Sequence, residues 1–141
     1  MTAAKQGKKA VDWVERAKAF YKAAGKDIAL AEFTNPRGQF VQNQQYIFVL
    51  DLNGYMLAHG MNQLFVGKIF TGIRDSDGKA FIQDIVDDAK AKGTGWTDYR
   101  WYDPVSKKEM PKTLYFEKID DMIICCGTYK ETPDANELTL L

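Results

Sequence analysis

The residues of this 141-residue chain best suited to chemistry are its single histidine, His59, a lysine that directly follows a proline, Lys112, and the aromatic residues on β-patterned segments. Together they suit capture of a small anion with an apolar part. A carboxylate leaving water needs a cation or several donors, and aromatic walls supply area and shape selection. Lys112 can supply the positive charge, and Tyr46, Tyr99, Tyr115 and His59 can supply neutral donors. Strand alternation places Tyr99 and Trp101 on one face, with Asp98, Arg100 and Tyr102 on the other.

Catalytic parts are scarce, and no enzyme is expected. With one histidine, no nucleophile elbow, no phosphate-cradling glycine loop and no paired carboxylates about a cleft, hydrolytic or group-transfer chemistry has little to work with. Asp75-Ser76-Asp77-Gly78 begins like a calcium loop, but Val86 stands where the bidentate glutamate belongs, so a turn with Asp77 as helix cap is the better reading. Cys125 and Cys126 are adjacent, hence on opposite faces of a strand, and suggest neither a disulfide framework nor a metal knuckle. No cofactor or metal is expected.

The elements that must position these residues follow from periodicity. Apolar residues recur at three and four from Ala10 to Ala24, which predicts an amphipathic helix over Lys8–Ala24 with Gly25 as its stop. A short helix over Lys26–Phe33 ends before Asn35-Pro36-Arg37-Gly38. The period then changes to that of a hairpin, Gln45–Leu52 and Tyr55–His59 about Asn53-Gly54. A long connection over 60–78 carries a helical turn near Gln63–Val66, and a further helix spans Lys79–Lys92. Three strands, Trp96–Tyr102, Thr113–Ile119 and Met122–Tyr129, close the domain as an antiparallel meander. The fold class is α+β: five strands, helices packed on one face, and the opposite face left for function.

Composition narrows the partners. Lys plus Arg and Asp plus Glu both number 19, so the formal charge is zero and nothing draws the whole protein to a phosphate backbone; no nucleic acid is expected. A hydrophobic fraction of 45% with 8 Phe, 7 Tyr and 3 Trp excludes a disordered chain. Residues 1–26 hold seven cations against Asp12 and Glu15, while the tail from Glu131 is acidic. No apolar run approaches the length of a membrane span, and the amino terminus has charges but no apolar stretch after them, unlike an intact secretory signal.

One ordered series of motifs is more specific than any of these. Phe40, then Tyr46-Ile47-Phe48-Val49-Leu50-Asp51-Leu52-Asn53-Gly54, Leu57-Ala58-His59, Gly67-Lys68 and Asp75-Ser76-Asp77-Gly78-Lys79 open it. Gly93-Thr94-Gly95-Trp96, Tyr99-Arg100-Trp101, Pro104, Pro111-Lys112 and Cys126-Gly127-Thr128-Tyr129 complete it. The series resembles the single Cache domain over residues 8–130, with 1–7 as an extension and 131–141 as a tail. The resemblance implies a PAS-like five-stranded antiparallel sheet with a long N-terminal helix on one face. It also implies a sensor module, extracytoplasmic in chemoreceptors and histidine kinases, that binds a small carboxylate of the acetate, propionate, lactate or pyruvate class. A periplasmic or secreted location follows, with a cytoplasmic one as the alternative because no signal peptide is seen. Position by position, Tyr46, His59, Tyr99, Trp101 and Lys112 fall on motif positions that face or border the pocket; Tyr115 and Tyr129 match less closely, and Arg37 lies in a segment that often approaches it. A homodimer through the N-terminal helix, or a separate signalling protein, is the implied partner. The competing reading is a Cache-fold interaction or structural protein that kept the fold without the ligand, since the chain carries neither flanking membrane helices nor an output domain.

Overall fold

A computed structural model describes residues 3–130. Helix α1 spans Ala3–Ala24, five residues earlier than the periodicity predicts, and stops at Gly25, whose φ of 89° suits glycine. Ala10, Trp13, Val14 and Ala17 form its buried stripe. Helix α2 spans Lys26–Thr34 and ends at Asn35, ahead of Pro36.

Among the described residues there are six strands: β1 Val41–Gln42, β2 Gln45–Asp51, β3 Met56–His59, β4 Thr94–Asp103, β5 Lys108–Ile119 and β6 Met122–Tyr129. The sheet runs β1-β2-β6-β5-β4, and β3 also pairs with β2. All the pairings are antiparallel, and the meander over the last three strands is as expected. The sixth strand, β1, is the addition: two residues that turn back on β2 through Asn43, which adopts a left-handed φ of 56°. The fifth begins before Pro111, which lies opposite Arg100 just beyond the last β5–β6 pair, Lys112 with Tyr129.

Both faces of the sheet are apolar, so both are covered. On one, Ile47, Val49, Ile124 and Cys126 pack under α1 and α2. On the other, Phe48, Leu114, Phe116 and Cys125 pack under α3 (Phe81–Lys92), with Phe70 of the 60–78 connection. The expectation that all helices share one face is therefore corrected. The stripe Phe81, Ile82, Ile85, Val86 and Ala89 must be buried somewhere, and the face opposite α1 offers the matching area. Cys125 and Cys126 take opposite faces and are both buried and free. Among the described residues no helix is long and apolar enough to cross a membrane.

Candidate functional site

The register of the sheet assembles the site. Tyr99 of β4 lies directly opposite Lys112 of β5, and Lys112 lies opposite Tyr129 of β6, so these three side chains form a row on the α3 face. Tyr46 and Phe48 reach the same face from β2, and His59 is the cross-strand partner of Phe48.

Lys112 is 1% exposed. Its Nζ donates to the Tyr46 hydroxyl at 3.0 Å and stands 4.4 Å from the Tyr46 ring centroid, 5.2 Å from Tyr129, 5.7 Å from Phe48 and 5.8 Å from Tyr99. Four aromatic rings thus surround an ammonium that has no ion-pair partner among the described residues. Burial pushes its pKa below the ordinary lysine value. Burial also raises the phenols of Tyr46, Tyr99 and Tyr129, which keeps them protonated and able to donate.

His59 is held as a neutral donor. Its Nδ1 accepts the backbone N–H groups of Asn62 at 2.9 Å and Met61 at 3.2 Å, which leaves the proton on Nε2. Burial, reinforced by the nearby Lys112 charge, lowers the His59 pKa from 6.5 to about 3.

Tyr46, His59, Tyr99 and Trp101 line one cavity between the sheet, α3 and the connection, together with Phe48, Met56, Phe65, Phe70, Phe81 and Ile82. Its walls are ordered by ring packing: Tyr99 stacks on Phe81 at 4.0 Å and 6°, and Trp101 meets Phe81 edge-on at 5.3 Å. The cavity leaves only about 20 Å³ open to the centre of a water molecule, room for one or two waters. Lys112 lies behind the Tyr46 and Tyr99 rings rather than on the cavity surface. Trp101 also lines a second, outer groove with Arg74, Arg100 and Tyr102.

Tyr115 is the correction among the expected site residues. It is three positions from Lys112, and alternation therefore points it to the α1 face, where its hydroxyl donates to Glu117 Oε2 at 3.0 Å and Glu117 pairs with Lys18 of α1. Arg37 is exposed in the turn after α2 and does not line the cavity. Tyr129 does join Lys112. The aromatic lining from Phe65, Phe70 and Phe81 was missed by sequence reasoning, because these residues come from a loop and a helix whose placement depends on packing. Phe48 was accessible to it, two residues from Tyr46 on one strand.

Asp77 does not cap α3, whose N-cap is Ala80 without a side-chain bond. The ordering carboxylate is Asp75: Oδ1 accepts from Lys79 N at 2.9 Å and Asp77 N at 3.0 Å, and Oδ2 from Arg100 N at 3.0 Å. Burial opposes its ionisation, but the Arg100, Lys79 and Asp77 amides outweigh it and hold its pKa below the usual value. Asp75→Ala removes the link between the connection and β4, with an expected cost of about 1–2 kcal/mol in urea unfolding at neutral pH. Faster amide exchange at Lys79 and Arg100 should accompany it; unchanged exchange there would exclude the anchoring role. Among the described residues no cluster of His, Cys, Asp and Glu could hold a metal ion.

A sequence model of the Cache domain matches residues 10–134, and the chain belongs to the Cache domain family. The methyl-accepting chemotaxis protein McpP of Pseudomonas putida is 30% identical over 95 residues, which are 66% of this chain and 18% of that protein; the chain thus matches under a fifth of its relative's length. A methyl-accepting chemotaxis protein from Vibrio parahaemolyticus superimposes with a TM-score of 0.76 at 20% identity, covering 89% of each chain. A Cache chemosensory domain described for carboxylic acid recognition gives 0.76 at 25% identity, covering 93% of this chain and all of that one (100%). A periplasmic sensor domain of a chemotaxis protein gives 0.71 at 26% identity, covering 93% and 99%.

Proposed function

We propose that this domain is the sensing module of a signalling protein and that it captures a small organic acid of the acetate, propionate, lactate or pyruvate class between the sheet and the 60–78 connection. One observation carries the reading: a buried ammonium, Lys112, caged by aromatic rings, whose hydrogen-bond partner among the described residues is the Tyr46 hydroxyl. An anion that completes its charge is the most favourable addition such a site can receive. His59 Nε2–H and the tyrosine hydroxyls complete the carboxylate's hydrogen bonds, and Trp101 with Phe70 and Phe81 walls the apolar end. The role is binding without catalysis. The similarity to a domain described for carboxylic acid recognition and to a periplasmic sensor domain supports the ligand class and an extracytoplasmic location.

The present cavity is smaller than any of these acids, so capture requires Trp101 or the connection to move. That coupling of occupancy to conformation is what a sensor needs. Thermal shift with each acid at millimolar concentration tests the reading. A hundredfold excess over the dissociation constant adds about 2.7 kcal/mol, a rise of several degrees for a domain of this size.

The small cavity also favours a second reading, in which the fold acts through self-association or a protein partner without a ligand. It requires no shift with any acid, and a dimer in light scattering that substitutions on the exposed face of α1 dissociate. A monomer stabilised by acid excludes it.

A further inference from the structure

Gly127 lies in the interior of β6, opposite Leu114 and diagonal to Lys112 on the same face. It does not share the left-handed backbone of Gly25, Gly54, Gly67, Gly78 and Gly93, so conformation does not demand glycine there. Space does. A Cβ at this position would lie 2.3 Å from Lys112 Cε, 3.1 Å from Cγ and 3.2 Å from Cδ. Three successive stem carbons thus run across the bare Gly127 backbone, which is how a lysine on β5 crosses β6 and reaches the Tyr46 hydroxyl on β2. Glycine weakens a strand interior and commonly marks a close approach; here the approaching group is the chain's own lysine.

We propose that Gly127 is a positioning residue for ligand recognition: the trough it leaves sets the reach of the Lys112 ammonium, and with it the depth at which an acid's carboxylate is held. The second half rests on the carboxylate reading above. Any side chain at 127 lifts the lysine stem, withdraws Nζ from Tyr46 and pushes it toward the cavity. Longer acids then lose more affinity than acetate.

The test pairs a stability cycle with calorimetry. Gly127→Ala is expected to lower the melting temperature when Lys112 is present. In the Lys112→Ala background the same substitution should leave it unchanged or raise it, because the clash is gone and alanine restricts the unfolded chain. If Gly127→Ala alone does not fold, a double variant that melts no lower than Lys112→Ala still establishes the coupling. Binding of propionate to Gly127→Ala should fall at least roughly tenfold, and by more than that of acetate. A purely structural glycine would leave the ratio of the two affinities unchanged. Equal loss of stability in both backgrounds, or an unchanged ratio, overturns the proposal. A wild-type protein that binds neither acid overturns the carboxylate reading instead, and the stability cycle then decides the trough alone.

Discussion

Lys112→Met is expected to abolish acid binding and to make the unliganded protein more stable. The two effects share a cause. An ammonium held at 1% exposure, with no ion-pair partner among the described residues, has the Tyr46 hydroxyl and four ring faces in place of its hydration shell. Methionine has nearly the same length and no charge, fits the stem's path over Gly127, and removes that desolvation cost. Replacing buried charges by apolar groups of similar volume is often stabilising by about 1–4 kcal/mol. A rise of several degrees in melting temperature is therefore expected. Binding moves the other way. Removing one member of a buried charge pair costs about 2–5 kcal/mol, or roughly thirtyfold to several-thousandfold in the dissociation constant. Differential scanning calorimetry without acid and titration calorimetry with propionate measure both. A variant that binds acid with wild-type affinity would remove Lys112 from the site, and one that melts lower would show that the aromatic cage more than offsets the desolvation.

The second large effect is on acid stability. Above pH 6.5 His59 is neutral in both the folded and the unfolded chain and contributes nothing to the pH dependence. As pH falls through 6.5 the unfolded chain takes up a proton that the folded protein does not accept until about 3, so stability is lost progressively across that window. The slope contributed by one such group is at most about 1.4 kcal/mol per pH unit, and by pH 5 the loss approaches about 2 kcal/mol. Geometry gives the same sign: a proton on Nδ1 would face the two amides of Met61 and Asn62 that this atom now accepts. His59→Asn keeps a short acceptor and does not titrate. Urea unfolding at intervals from pH 7.5 to 5 should show a falling midpoint in the wild type and a flatter one in the variant. Parallel profiles would mean that His59 is not buried neutral. Because the same two bonds fix the start of the 60–78 connection, mild acid should also loosen the cavity wall before the domain unfolds.

How much of this was legible without coordinates differs element by element. The hairpin about Asn53-Gly54, the stripe of α1 and the closing meander are local patterns, set by periods of two and 3.6 and by turn residues, and they emerge where predicted, although α1 and β5 each begin five residues earlier. Alternation put Tyr99 with Trp101 and separated Cys125 from Cys126, and both relations hold. It could also have excluded Tyr115, an odd number of positions from Lys112 on one strand. The limit lay elsewhere. A two-residue strand has no period to read, and the side of the sheet that α3 covers depends on which apolar face is left once α1 has docked.

Composition and periodicity were enough to require a neutral α+β domain with a lysine, its single histidine and several tyrosines on strands, and to require that any anion be held by a local cation. Tertiary structure alone decided that the cation would be buried. Lys112 comes from β5, its hydrogen-bond partner from β2, and the bare backbone beneath it from β6. Periodicity assigns each residue a face, but only the strand order and register determine which side chains on that face become neighbours. The caged lysine is a property of that register.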